Sequence, residues 1–325
     1  MKWNFINSRY INGFMHVPVT FPYNKPDSLL IEDFKIEQYI EYINRKDVKK
    51  VYIQGVDDFS FLRSCTGLEH IKIEFHLPFH KWKETPMIRG KIRKNYDLDV
   101  LYELPNLKSL QLSDFEEEEV VTPKACVDIS RIQILKYYRG ESRFISGIEK
   151  TENLEVLGLR NYKKNNLKEL EALKNLETLT LSFGSTETLD GIESMHNLQF
   201  LYLDYIRSLK DISHLYDVRK SLKLLRIDHC AKISDFSVLE ELENLELLFL
   251  DGSQTLPTLN FINRLPNLKT FICHFNVADG DLTPCLRLSY AYMDNRRHYN
   301  IKGDSLPQIQ YIRGNENIEE WKRID

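Results

Sequence analysis

The sequence predicts an α/β repeat solenoid, in which short parallel strands stack into one curved sheet. Two regularities carry that expectation. A pattern L-x-x-L-x-L recurs as Leu154/Leu157/Leu159, Leu176/Leu179/Leu181, Leu198/Leu201/Leu203, Leu222/Leu225/Ile227, Leu245/Leu248/Leu250 and Leu268/Phe271/Cys273. Successive first positions give spacings of 22, 22, 24, 23 and 23, the period of stacked units that cannot bury an apolar face alone. Between the copies runs a second apolar series at every third residue: Ile145/Ile148, Leu167/Leu170/Leu173 and Leu189/Ile192/Met195.

Each element follows from its own spacing. The end of L-x-x-L-x-L alternates apolar and polar, which suits a short strand. Apolar residues three apart suit a turn of 3-10 or short α-helix with one face inward. The series slides by a residue or two in Ile233/Phe236/Leu239 and Leu256/Leu259/Ile262. A narrow strand on one side and a wider helical turn on the other bend the stack, leaving the sheet on the concave face. Each fully buried Leu or Ile contributes about 1.5–3 kcal/mol, so these ladders supply most of the stability.

The repeats are expected over residues 48–293, in about ten or eleven units. Val48/Val51/Ile53, Leu68/Ile71/Ile73 and Leu107/Leu110/Leu112 extend them toward the N-terminus, and Ile132/Leu135/Tyr137 stands one period before the Leu154 copy. The step from Leu68 to Leu107 exceeds one period and implies an insertion near 74–97. A degenerate last strand is expected around Leu288 to Met293. Residues 1–47 do not repeat and are expected to cap the array with a hairpin-like segment and a helix over 35–46, whose Ile36, Tyr39, Ile40 and Ile43 share a face. Residues 294–325, including Trp321, are expected to cover the other end, where an open strand edge would otherwise invite pairing.

Composition narrows the function. The 325-residue chain carries a net charge of −4, with 28% charged and 42% hydrophobic residues, so no basic excess draws it to nucleic acid or anionic lipid. The N-terminal MKWNFINSRYINGFMHV is too polar for a signal-peptide core, and no apolar run reaches the roughly 18–20 residues that span a bilayer. Cys65, Cys126, Cys230, Cys273 and Cys285 form no C-x-x-C pair, and Cys273 fills a leucine slot. These features predict reduced thiols and a cytoplasmic protein with no membrane association.

The segments SLKDISHL and AKISDFSVLEELENLELLFL resemble the phrase that follows each strand in the leucine-rich repeat family, in its short 22-residue class of bacterial internalins and phosphatase-regulatory subunits. The resemblance covers about three quarters of the chain. It implies a curved, right-handed leucine-rich repeat solenoid with a parallel β-sheet on the concave face, 3-10 or short helical turns on the convex face, and non-repeat caps at both ends. It also implies a bacterial binding module with a protein ligand on the concave surface. Where the family places Asn at each strand end, this chain has Tyr162, Gly184, Ile206, Cys230, Ser253 and Asn276, so irregular turns are expected in the middle. The secretion and host-receptor role of internalins are not carried over.

The polar positions of the strand pattern face the concave side. The central column is expected to read Tyr52, Lys72, Gln111, Lys136, Gly158, Thr180, Tyr202, Arg226, Phe249 and Ile272. The next is expected to read Gln54, Glu74, Ser113, Tyr138, Arg160, Ser182, Asp204, Asp228, Asp251 and His274, with Asp294 extending it. Carboxylates stacked on neighbouring strands repel mildly, and clustered exposed aromatics are costly, so their combination points to an interface with a basic protein. The candidate partner-binding residues are Tyr138, Arg160, Tyr202, Asp204, Tyr205, Arg226, Asp228, Phe249, Asp251 and His274. Tyr290 and Tyr292 border them, and Lys50, Lys72, Lys136 and Arg160 make a weaker basic stripe toward the N-terminus.

Other motifs carry less. His76 and His80 have metal-ligand spacing beside His70 and Glu74, but Pro78 argues against the helix that spacing needs. Glu116–Glu119 reads as a solvated loop, and Arg296, Arg297 and His298 as plain surface. There is no phosphate-binding glycine loop, no G-x-S-x-G and no H-E-x-x-H. The expectation is a non-catalytic, monomeric protein-interaction module with no catalytic residue, cofactor or metal. An immunity-type inhibitor of a toxin, and an enzyme with its site in the insertion or caps, stay open as alternatives.

Overall fold

The computed structural model describes residues 9–11, 14–16, 29–32, 36–54, 56–75, 92–114 and 121–308. One parallel sheet of twelve strands runs through it. We number these strands β1 (Leu29–Glu32), β2 (Lys50–Gln54), β3 (His70–Phe75), β4 (Ser109–Asp114), β5 (Tyr137–Glu141), β6 (Val156–Arg160), β7 (Thr178–Ser182), β8 (Phe200–Asp204), β9 (Leu224–Asp228), β10 (Leu247–Asp251), β11 (Thr270–Cys273) and β12 (Tyr290–Met293). Each pairs only with its neighbours in sequence order. The polypeptide returns between strands through 3-10 turns such as Lys168–Leu170, Ile192–Ser194 and Ser237–Glu241. The fold is therefore a leucine-rich repeat solenoid.

The leucine ladders form one continuous core. Leu154, Leu157 and Leu159, and every equivalent through β11, are 0–3% exposed. The convex series Leu167/Leu170/Leu173 and Leu189/Ile192/Met195 is fully buried on the other side of that core. A short helix, α1 (Ile36–Lys46), buries Ile43 against the first repeats and places Asn44 Nδ2 2.9 Å from the Ser64 carbonyl. Arg9–Ile11 and Phe14–His16 form an antiparallel pair. The sheet starts one strand before the first repeat read from the sequence, because β1 adds to β2 in parallel. Beyond β12, the Ala291 N–H donates to the Pro307 carbonyl (2.9 Å), and Tyr299 and Leu306 are buried. Trp321, the His76/His80 pair and Glu116–Glu119 lie outside the described residues.

The insertion leaves the sheet unbroken, since β3 and β4 pair directly across it. The next unit departs from the expected register. Tyr138 pairs with Leu110 and Leu157, and Gly140 with Leu112 and Leu159. The true copy is thus Leu135/Tyr138/Gly140, three residues after Ile132/Leu135/Tyr137. Tyr138 is fully buried in the core, not on the concave surface, and its hydroxyl donates to the Glu141 carbonyl at 3.1 Å. The reason is volume. The phenol fills the space of two leucine side chains, and Gly140 has none, since a Cβ there would sit 2.0 Å from the Leu112 carbonyl oxygen and 2.8 Å from the Tyr138 hydroxyl. Arg139, not Lys136, accordingly occupies the central column; Lys136 sits before β5 and pairs with Glu155.

The asparagine ladder of this chain stands one position before the first leucine. Asn106, Asn153, Asn175, Asn197, Asn244 and Asn267 each donate through Nδ2 to a backbone carbonyl of the preceding unit, at 2.7–3.0 Å. Each amide satisfies an acceptor that would otherwise be left at the corner of a turn. At the strand-end column Tyr162, Ile206 and Cys230 are buried instead, and the Cys230 thiol lies 3.5 Å from the Leu203 carbonyl.

Asn197→Ala is expected to cost about 1 kcal/mol, one net hydrogen bond, and Leu198→Ala about 2–5 kcal/mol. Gly140→Ala should cost about 1–3 kcal/mol through overpacking. Gly158→Ala, whose Cβ would meet only the flexible Arg139 side chain at 3.0 Å, should stay within about 0.5 kcal/mol. Urea-denaturation midpoints measure all four.

Candidate functional site

Side chains on the open face of β2–β12 fall into three columns. The first reads Lys50, His70, Ser109, Tyr137, Val156, Thr178, Phe200, Leu224, Leu247, Thr270 and Tyr290. Its middle is apolar. Phe200, Leu224 and Leu247 pack with Tyr202 and Phe249 into a cluster separate from the main core. Tyr202 therefore faces the open side but is only 4% exposed, so it supports the surface more than it offers one. Tyr290 is buried in the same way, and Tyr292 is half-buried.

The third column runs Glu74, Ser113, Glu141, Arg160, Ser182, Asp204, Asp228 and Asp251. His274 and Asp294 continue it one residue past β11 and β12, with His274 Nδ1 3.2 Å from the Asp294 carboxylate. The carboxylates on β8–β10 do not simply repel. Arg226 stands between two of them, with Nε 3.1 Å from Asp204 Oδ1 and Nη2 bonded to Asp228 Oδ2. His229 Nδ1 holds the other oxygen of Asp228. Burial pulls the Arg226 guanidinium down, and Asp204 and Asp228 outweigh it, so its pKa rises. One guanidinium serves two carboxylates incompletely: burial still raises the Asp204 carboxyl above its ordinary value, against the pull of Arg226. Glu141 is raised for the same first cause, burial, although Asn161 donates to its Oε2 at 2.9 Å.

The basic stripe expected toward the N-terminus is not continuous. Lys136 lies off the face, and Lys72 sits 3.5 Å from Glu74 and over the Tyr52 ring.

Past the third column the chain turns upward through a left-handed residue in four successive units: Asn161, Phe183, Tyr205 and His229, with φ between 51° and 56°. None is glycine, so each carries a strain of order 1 kcal/mol. The conformation is held because each N–H donates to the next strand, Phe183 to Asp204 O (3.0 Å), Tyr205 to Asp228 O (2.7 Å) and His229 to Asp251 O (2.7 Å). The side chains then project together. Phe183 and Tyr205 stack at 5.2 Å, Tyr205 and His229 at 4.6 Å, and Arg160 lies over the Phe183 ring at 4.4 Å. Phe183 is 46% and Tyr205 37% exposed. A second file, Arg226, Phe249, His274 and Tyr292, runs beside it on the sheet itself.

Phe183 and His229 are absent from the residues expected from sequence. The signal was present, since positions 183, 205 and 229 are all aromatic and recur with the repeat. Beside the Phe183–Tyr205 rings lies a groove of about 610 Å³, lined by Gly158, Thr180 and Ser182 among others and reached by side chains of every strand from β3 to β9. A single groove spanning that many repeats makes this face concave. Asp228, His229 and Asp251 could offer one ligand atom each within 4.8 Å, as could Glu193, His214 and Asp217. Arg226 on Asp228 argues against a cation in the first set. The second is partly exposed, with His214 and Asp217 already paired at 3.2 Å.

The sequence matches no protein-family model and no curated protein. Among solved structures the chain is similar to an internalin, InlF of Listeria monocytogenes, at 20% identity and TM-score 0.51, covering 79% of this chain and 71% of that one. It is also similar to the TLR13 chain of a TLR13–ssRNA13 complex, at 14% identity and TM-score 0.52, covering 82% of this chain but 47% of that one. The Leptospira interrogans leucine-rich repeat protein LIC12759 overlaps at 19% identity and TM-score 0.44, covering 83% of this chain and 60% of that one. The architecture is thus that of a leucine-rich repeat protein, structurally similar to the Listeria internalins. It is a fold typical of binding modules and usually non-catalytic.

Asp204 fixes a pH dependence. Its folded pKa lies above the unfolded value, so between the two the native state holds a proton the unfolded chain has lost, and stability falls as pH rises through that window. Asp204→Asn should therefore be more stable than the parent at pH 7, with the gain disappearing as pH drops below the unfolded carboxylate value. Arg226→Met should lose about 1–3 kcal/mol at pH 7 by stripping charge-assisted hydrogen bonds from two carboxylates. Denaturation midpoints across pH check both.

Proposed function

We propose that the chain is a non-catalytic protein-interaction module that binds a protein partner with a basic surface on its concave side. What carries this reading is the ring stack of Phe183, Tyr205 and His229 beside the Asp204, Asp228 and Asp251 carboxylates. Exposed aromatic area costs solubility, and left-handed non-glycine backbone costs stability. A rigid aromatic anchor flanked by charges that select the partner offsets both costs when it is covered. Asp251 enters no ion pair among the described residues, so it is open to a basic group from outside.

Arg160, Arg226, Phe249 and His274 belong to the same surface as rims of the two aromatic files. An adaptor and a toxin-blocking protein would use this face alike. A cytoplasmic location is part of this proposal; five free cysteines, four of them buried, would suit a reducing compartment. Burial raises Cys65 to about 11 and Cys230 and Cys285 to about 12, which suits inert packing thiols.

The test uses a partner captured from native lysate and then purified. Its affinity for the Phe183→Ala/Tyr205→Ala double variant should fall by about a hundredfold or more. Raising salt from about 50 to about 500 mM should weaken the parent complex at least about tenfold. A double variant that melts at the parent temperature yet binds with unchanged affinity would refute concave-face recognition.

A further inference from the structure

We infer that Glu193, His214 and Asp217 form a site for one divalent transition-metal ion, such as zinc, on the convex side of the molecule. The inference is independent of the concave-face reading. One ligand atom from each residue lies within 4.8 Å of the other two. The three come from adjacent units. His214 and Asp217 stand three apart on the 3-10 turn Ser213–Val218, which brings them to the same face. Glu193 stands on the turn Ile192–Ser194 of the preceding unit, and the parallel bridge between Thr188 and Asp211 keeps the two turns in step. Both turns are anchored in the core, since Ile192 and Leu215 are fully buried and Val218 is 1% exposed. Ligands carried by packed elements are held more rigidly than ligands on free loops.

The donor set selects the ion. Imidazole with carboxylate suits zinc, nickel or copper, whereas magnesium and calcium take oxygen ligands. His214 Nδ1 and Asp217 Oδ2 are 3.2 Å apart, close to the edge of a tetrahedron with bonds of about 2.0–2.1 Å. With the ring proton on the other nitrogen, that pair presents two lone pairs to a metal. Glu193 Oε2 accepts the Gly191 N–H at 2.8 Å, the kind of outer hydrogen bond that orients a metal ligand. Three protein ligands leave a fourth position for water.

Charge points the same way. Between the strands, Glu187, Asp190 and Glu240 meet Lys210, Lys168 and Arg264. Neither Glu193 nor Asp217 pairs with Lys or Arg among the described residues. Lys168, whose charge reaches Glu193, is bonded to Asp190 at 3.0 Å. Arg219 is bonded to the Tyr216 carbonyl at 2.7 Å and lies over that ring. An imidazole thus stands where neighbouring carboxylates have a basic side chain. The concave trio of Asp228, His229 and Asp251 differs, because Arg226 already holds Asp228.

The experiment titrates the chelator-treated full chain with zinc chloride by calorimetry. One ion per chain is expected, with a Kd of about 10–100 µM. His214→Ala, Glu193→Gln and Asp217→Asn should each lose about tenfold or more, while His196→Ala, an exposed histidine outside the trio, should bind as the parent does. Metal-free melting temperatures equal to the parent's separate loss of a ligand from loss of the fold. As a second readout, cobalt(II) should give the strong visible absorption of a tetrahedral site in the parent and not in His214→Ala. No binding at about 1 mM zinc, equal weakening in His196→Ala, or parent-like binding by His214→Ala would overturn the inference. So would magnesium binding as tightly as zinc, the mark of an adventitious ion only on an acidic surface. Loss of binding in His229→Ala with His214→Ala unaffected would overturn it too, by moving the ion to the concave trio.

Discussion

Every strand of this sheet satisfies its backbone only through the unit before and the unit after it. Parallel in-register pairing runs residue by residue from β5 to β10 without a slip. That pairing makes columns out of positions one repeat apart, and columns are what this molecule has in place of loops. The asparagine ladder, the Lys–Glu pairs at the strand starts and the left-handed corners all depend on the same register. A unit can vary in length, as the long step from Leu107 to Leu135 and the short one from Leu135 to Leu154 do, provided the strand itself stays aligned.

The core was legible wherever leucine fills the leucine slots. It was misread where volume is traded between positions. Leu135/Tyr138/Gly140 does the work of three leucines with one large and one absent side chain, and a search for aliphatic spacing passes it by. Matching the neighbouring Tyr137 to the pattern moved Tyr138 to the surface and put Lys136 where Arg139 stands. The asparagine column was sought at the strand end, where the resemblance placed it, although the recurring Asn-Leu dipeptide at 153, 175, 197, 244 and 267 was plain in the sequence.

On the concave side, alternation gave the identity of the Asp204, Asp228 and Asp251 column but not its state. Sequence counts charges; it does not show that Arg226 lies between two of them, or that Tyr202 is roofed by its own neighbours. Those facts depend on side-chain direction across adjacent strands. The ring stack depends on something further, a backbone sign. With a negative φ in place of 51–56°, Phe183, Tyr205 and His229 would not project as one file, and the three residues would be three unrelated surface aromatics.

Strain, ring exposure and buried carboxyl groups meet along the middle strands of the sheet, and each opposes stability. Four left-handed residues, the exposed rings of Phe183 and Tyr205 and the raised carboxyls of Glu141 and Asp204 fall within the units from β5 to β9. The continuous leucine core is what permits this, because a solenoid adds burial with each unit and spreads the cost of one weak patch over many rungs. Local penalties gathered on one open face are what the proposed binding role would offset. The equivalent corner at Gly252 takes a different backbone, with φ 148°, so the sheet can pass this corner without a side chain in the φ 51–56° conformation. The use of aromatic residues at the preceding corners is therefore a property of the surface they build, not of the turn they occupy.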